Sequence, residues 1–171
     1  MNPETTSEPV QQKPQTKAPA LTATAVAAVR GQTIYPAPFS DVVKGRLRRR
    51  LGEQFGLANF GVNLTEIAPG TASALAHHHT KQDEFVYVLQ GTLTLMLDGE
   101  ALTLHAGDCY GFKAGNGIAH QLVNESDTPA IYLEVGDRSA GDDVTYPYDD
   151  LKLGKHADGS WQPLHKDGTP Y

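Results

Sequence analysis

Residues 84–107, EFVYVLQGTLTLMLDGEALTLHAG, decide the fold class. Glu84, Val86 and Val88 alternate with Phe85, Tyr87 and Leu89. Leu93, Leu95 and Leu97 alternate with Thr92, Thr94 and Met96. Side chains on a strand project to opposite faces with a period of two, so each run reads as a strand. Gly91 ends the first run. Asp98-Gly99, a two-residue hairpin signal, turns the second into Ala101–His105. The pattern extends in both directions. Gly61–Ile67, closed by Pro69-Gly70, and Ala74–His79 read as strands before it. Cys109–Phe112, His120–Val123 and Ala130–Val135 follow it. Strands recurring every ~8–12 residues with turn signals between them predict an all-β sandwich or barrel. No amphipathic helix and no internal repeat interrupts the series.

The chain has 171 residues, enough for a single domain with one substantial core. Met1 to about Lys17 is polar and rich in Pro, Gln and Thr, and is expected to be a disordered tail. Residues 18–55 are expected to form an extended arm and an edge strand, with Tyr35-Pro36-Ala37-Pro38 excluding helix. Residues 56–136 are the expected barrel core. Residues 137–171 are expected to add a loop and a small hairpin packed on the barrel, turned at Asp158-Gly159.

Lys and Arg total 14 against 20 Asp and Glu, a net charge of −6, which argues against a nucleic-acid partner. No run approaches the ~20 apolar residues of a membrane span, so no membrane partner is expected. Ala18–Val29 is only mildly apolar and follows Glu4 and Glu8, unlike a signal peptide. A single cysteine, Cys109, excludes an internal disulfide and a cysteine-rich zinc site, and fits a cytoplasmic protein.

The chemistry lies in His77-His78-His79, Glu84 and His120. On a strand, His77 and His79 share a face and His78 points away. Glu84 opens the next strand after a four-residue link, and His120 begins a later one. A sheet curled into a barrel brings all four together inside it. Buried polar groups without partners cost ~1–3 kcal/mol each, and a lone carboxylate more. A divalent cation removes that cost, which favours a metal site over unrelated surface histidines.

Residues 70–91, GTASALAHHHTKQDEFVYVLQG, resemble the first signature of the cupin family in His77-x-His79, the four-residue gap to Glu84 and the six-residue gap to Gly91. The lead from Gly70 to His77 is one residue longer than usual. Residues 107–124, GDCYGFKAGNGIAHQLVN, resemble the second signature at Gly107, Gly115, His120 and Asn124. Lys113 stands where the signature has Pro, and four residues rather than two separate Gly115 from His120. The resemblance is strong over about Gly56–Gly136. It implies a double-stranded β-helix, or jelly-roll barrel, holding one divalent ion (Zn, Fe, Mn, Ni or Cu) on His77, His79, Glu84 and His120. Neutral imidazole is needed for ligation, so metal loss is expected as pH falls through the ~6.5 region of an unperturbed His. Other phrases, such as DEFVYVLQG and YLEVGDRSAGDDVTYP, resemble a bacterial single-domain cupin group labelled sugar-phosphate-isomerase-like.

Glu134, a charge in an apolar strand, and Tyr132 are the candidate catalytic residues, with Tyr110 a further candidate for the cavity wall. Phe85 and Tyr87 are expected in the core between sheets, Cys109 as a buried small hydrophobe, and Asn124 as a strand-end hydrogen bonder. Arg46 and Arg48–Arg50 could bind a substrate phosphate or carboxylate. A solvated edge strand is the expected role, since basic edges discourage aggregation. His156 and His165 are expected on the surface.

The functional expectation is a small metalloenzyme acting on a soluble polar metabolite by isomerase, lyase or dioxygenase-type chemistry. The alternatives are a metal-dependent binding or sensing protein and a metal-stabilised structural or storage protein. The absence of a helix-turn-helix pattern disfavours a fused transcription regulator. A homodimer is expected, with the arm Leu21–Phe39 contributing to it.

Overall fold

The hairpin signal places Asp98 and Gly99 at the tightest turn, where both take left-handed backbone, with φ of 45° and 89°. A computed structural model of the chain describes residues 18–155 and 161–171. The expected tail over residues 1–17, the Asp158-Gly159 turn and His156 lie outside the described residues.

In chain order the strands are β1 (Ala28–Arg30), β2 (Arg46–Arg50), β3 (Phe60–Ile67), β4 (His78–His79), β5 (Glu84–Gln90), β6 (Thr92–Leu97) and β7 (Glu100–His105). They continue as β8 (Cys109–Phe112), β9 (His120–Val123), β10 (Ala130–Asp137), β11 (Val144–Thr145), β12 (Lys152–Lys155) and β13 (Trp161–Leu164). Among the described residues, helix is confined to two 3-10 turns and the four-residue α1 (Leu51–Gln54). The fold is all-β, as the alternation predicts.

A six-stranded antiparallel sheet runs β1-β2-β3-β10-β5-β8. The opposing side is built from β7-β6-β9 and from β13-β12-β11-β4. The chain before β4 links these two groups by pairing with β9 at Ala72↔Val123 and His77↔His120. Ile67, Val86, Val88, Ala130 and Tyr132 from the large sheet meet Leu93, Leu95, Leu104 and Leu122 from the other side. Each fully buried aliphatic side chain contributes about 1.5–3 kcal/mol. Gly91 is required between β5 and β6. Its φ is 78°, and a Cβ there would lie 3.1 Å from Ala130 Cα and the Pro129 carbonyl oxygen. A second cluster, Leu75, Tyr146 and Leu151, packs Tyr35 and Phe39 of the N-terminal arm against the C-terminal segment.

Four expectations need correction. The strand expected over Ala74–His79 is regular only at His78–His79, because the preceding residues cross between β9 and the last sheet. Phe85 and Tyr87 are not core: they are 40% and 38% exposed, on the outer face of the large sheet with Leu89. Alternation names two faces, and Val86 and Val88 took the inner one. Cys109 is exposed, opposite Tyr87 on that outer face. The arginine strand is not an edge, since β1 covers it. Arg46 is only 6% exposed, donating to the Ser73 and Gln32 carbonyls.

Asn124 takes its expected role. Its amide nitrogen donates to the Ile67 and Thr128 carbonyls, each at 2.8 Å, and its oxygen accepts from the Ser126 amide and hydroxyl. It thereby ties the end of β9 to β3.

Candidate metal centre

Local pairing places the four candidate ligands. His77 and His120 exchange backbone hydrogen bonds of 3.1 and 2.9 Å, so their rings sit side by side, 4.6 Å apart. His79 follows two residues later on the same face. Glu84, the first residue of β5, faces them from the other sheet. The longer loop before His120 does not displace it. The loop is held by Ala114 N–H on Asp83, Gly115 N–H on the His79 carbonyl and Ala119 N–H on Asp98.

Glu84 Oε2 lies 2.9 Å from His120 Nε2, 3.5 Å from His79 Nε2 and 3.7 Å from His77 Nε2. Donor atoms of His77, His79 and Glu84 all fall within 4.8 Å of one another, and His120 joins through Glu84. Phe112 stacks on His120 at 3.8 Å and closes one side.

The other ring nitrogens decide what these groups can hold. His77 Nδ1 lies 2.8 Å from the Leu75 carbonyl, and His79 Nδ1 lies 2.6 Å from Asp142 Oδ2. A carbonyl and a carboxylate only accept, so both Nδ1 atoms carry the proton. When such a ring is neutral, its Nε2 is a bare lone pair facing a carboxylate oxygen. Acceptors facing acceptors at this range require a positive charge between them. A proton on His77 is disfavoured: burial is the largest influence and lowers its pKa to about 4, against the charge of Glu84. Burial alone would raise Glu84. The His120 hydrogen bond and the neighbouring imidazoles outweigh it and bring the carboxyl to about 2. The residues therefore fit a divalent cation held by imidazole nitrogen and carboxylate oxygen.

Asp142 was not foreseen. Its Oδ1 accepts from the Lys81 and Gln82 amides at 2.7 and 3.1 Å while Oδ2 fixes the His79 tautomer. It stands 63 residues from His79, and no sequence signal links them. A carboxylate on a ligating imidazole is a recurrent device for orienting it and raising its basicity.

A cavity of about 300 Å³ opens beside the cluster. His77, Glu84 and His120 line one part, and Arg48, Asn63, Tyr132 and Glu134 line another. Of the cavity candidates, Tyr132 and Glu134 line it, whereas Tyr110 packs on Phe112 instead. The register explains the second wall. Arg48 pairs with Thr65, which pairs with Tyr132, and Asn63 pairs with Glu134. These residues form adjacent rows on the inner face. Glu134 Oε1 lies 2.8 Å from Asn63 Nδ2 and 2.9 Å from Arg48 Nε, and Oε2 accepts the Tyr132 hydroxyl at 2.8 Å. Burial, then the Glu134 charge, push the Tyr132 hydroxyl well above its ordinary pKa, so it stays a proton donor. His78 is not among the converging donor atoms and lines a small second cavity with Lys113 and Asn116. His165 is partly exposed and bonded to Asp150. Among the described residues, no helix is long and apolar enough to cross a membrane.

Comparison with known proteins agrees with this architecture. A family profile described as a cupin domain matches residues 63–136. A solved structure from Silicibacter pomeroyi, described as a sugar phosphate isomerase from a cupin superfamily, matches with a TM-score of 0.81 and 38% identity. The match covers 90% of this chain and 96% of that one. A second structure, from Acidithiobacillus ferrooxidans, matches with a TM-score of 0.65 and 30% identity over 74% and 80% of the two chains. Germin-like protein 5-1 of Oryza sativa subsp. japonica is 36% identical over 85 residues. That match takes in 46% of this chain, which spans only 37% of the curated relative's length.

Proposed function

The chain belongs to the cupin superfamily, and from that footing we propose that it is a cytoplasmic metal-binding cupin, a small metalloenzyme acting on a soluble polar metabolite. The observation that carries this reading is the pair of Nε2 atoms of His77 and His79, 3.7 and 3.5 Å from the Glu84 carboxylate at the wall of a cavity. His77, His79, Glu84 and His120 hold one divalent ion, of Zn, Fe, Mn, Ni or Cu. Such an ion supplies Lewis acidity to a substrate oxygen. Isomerase, lyase and dioxygenase-type chemistry all suit such a centre. The name of the Silicibacter pomeroyi relative favours isomerisation.

The chain's own residues then position and move protons. Tyr132, kept protonated, donates to Glu134 and orients that carboxylate beside the cavity. Glu134, which accepts from Asn63 and Tyr132 and lies against Arg48, accepts a proton as the substrate's carbon or hydroxyl gives it up.

The test is elemental analysis of untagged protein beside the His77→Ala/His79→Ala variant, with solvent-deuterium uptake by hydroxy-carbonyl metabolites as the assay of turnover. About one metal per chain, lost in the variant, and uptake lost in Glu134→Gln are expected. Absence of bound metal, with no stabilisation on adding any, overturns the reading. One observation favours a second reading, a metal-dependent binding or sensing protein. Glu134 already accepts from Asn63 and Tyr132 and pairs with Arg48, so its oxygens are engaged within the fold. Metal bound and a ligand that raises Tm without product in any assay would decide for it.

A further inference from the structure

Resting on the functional reading above for its metal end, we infer that Arg48 is the anion anchor of the cavity. It holds the carboxylate or phosphate of a small hydroxylated metabolite whose other end faces the His77/His79/Glu84/His120 cluster. A guanidinium carries five N–H donors in a rigid fork. Arg48 places Nε 2.9 Å from Glu134 Oε1. Among the described residues, neither of its terminal nitrogens has a protein acceptor. Its side chain is 30% exposed, and it lines the cavity.

The other two arginines at alternate positions of β2 differ. Arg46 places both terminal nitrogens on the Ser73 and Gln32 carbonyls. Arg50 places its own on Glu53 and Gln32. Their donors are committed to the fold, and those of Arg48 are not. Glu134, itself fixed by Asn63 and Tyr132, holds the Nε edge of Arg48 and leaves the terminal pair for a ligand. Carboxylate and phosphate match that pair with two parallel charge-assisted bonds.

The charge balance of the wall points the same way. Arg138 adds a second guanidinium, with one terminal nitrogen on the Leu57 carbonyl. The wall's carboxylates already have partners. Glu134 accepts from Asn63 and Tyr132 and lies against Arg48 Nε, and Asp137 accepts from the Arg138 and Ser139 amides. Glu84 belongs to the imidazole cluster. A neutral ligand would leave the Arg48 fork unpaired, and a cation would meet two guanidinium groups. A volume of about 300 Å³, the lower end of the range for ligand pockets, limits the occupant to a small molecule.

Three probes share a three-carbon skeleton and differ in their anion: glycerol 3-phosphate, glycerate and glycerol. Their affinities are measured by NMR titration on the metal-loaded wild type, on Arg48→Gln and Arg48→Lys, and on His77→Ala/His79→Ala. Wild type is expected to bind one anionic probe at least tenfold more tightly than glycerol, and the preferred probe separates phosphate from carboxylate. Arg48→Gln should lose at least tenfold toward that probe with glycerol unmoved. A purely structural arginine would shift both probes together. Arg48→Lys keeps the charge beside Glu134 without the fork, and should fall between. It keeps the test readable if Arg48→Gln does not fold. No anion preference in wild type, or a preference that survives both substitutions, overturns the inference. Preference dependent on Arg48 in a chain that binds no metal would sink the metal reading and leave the anchor standing. Metal bound without anion preference would do the reverse.

Discussion

Asp142 offers the sharpest test of the metal centre, because its two oxygens do separable work. Oδ2 accepts the Nδ1–H of His79, and Oδ1 accepts the Lys81 and Gln82 amides and, at 3.3 Å, the Thr80 hydroxyl. In Asp142→Asn the carboxamide oxygen must stay with the amides, since the reverse orientation would set NH2 against two N–H groups. The NH2 then faces His79 Nδ1 and forces the other tautomer, with Nε2 protonated and aimed at Glu84. That nitrogen can no longer ligate. In Asp142→Ala the ring is merely released, and either tautomer is open to it. Loss of a carboxylate on a ligating imidazole typically costs 10–100-fold in metal affinity, about 1.4–2.7 kcal/mol. Asn should sit near the upper end and Ala near the lower. Stability of the metal-free chain should order the opposite way. Asn keeps the two amide partners, whereas Ala abandons them at about 1 kcal/mol each. Chelator competition for Zn(II) gives the first order, and urea unfolding of the metal-free chain gives the second. Asn binding metal as wild type does, or Ala binding more weakly than Asn, would refute the tautomer argument.

The metal-free chain should be acid-sensitive with a definite sign. His77 falls from 6.5 unfolded to about 4 folded and Glu84 from 4.5 to about 2, so both bind fewer protons when folded. Stability is fully present above pH 6.5, declines toward pH 4 through His77, and declines further toward pH 2 through Glu84. Equal urea midpoints at pH 7 and pH 5 would contradict this, and burial moves the onset of proton competition at His77 below the ~6.5 of an exposed imidazole. Asn124→Ala strips four hydrogen bonds from a side chain with no exposure and should cost about 3 kcal/mol in denaturant titration. A loss under about 1 kcal/mol would show that water replaces the amide. The homodimer stays a proposal. We place a second copy of the chain on the exposed row Phe85, Tyr87 and Leu89, since monomers rarely leave a contiguous apolar patch in water. Sedimentation should show a dimer for wild type and a monomer for Tyr87→Glu, and a monomeric wild type would end the idea.

Much of the site was legible because its determinants are local. Period-two alternation, the Asp98-Gly99 turn and the Gly91 stop lie within a few residues of what they control, and they give the strands and their order. The His77-x-His79 spacing and Glu84 at the head of the next strand put three candidate ligands on converging ends. His120 needed only the barrel to close. The exposed Phe85 and Tyr87 and the exposed Cys109 mark where this reasoning stopped. Parity says which side chains share a face. Whether that face is buried depends on the sheet packed against it.

The sequence by itself determined the all-β class, the cupin resemblance and the convergence of His77, His79, Glu84 and His120. Only the tertiary structure set Arg48 beside Glu134, covered the arginine strand with β1, and carried Asp142 to His79. Those pairings join residues 86, 17 to 21 and 63 positions apart. They follow from the register of strands brought together across the whole fold. No neighbouring residue encodes that register, and the total burial of both sheets selects it.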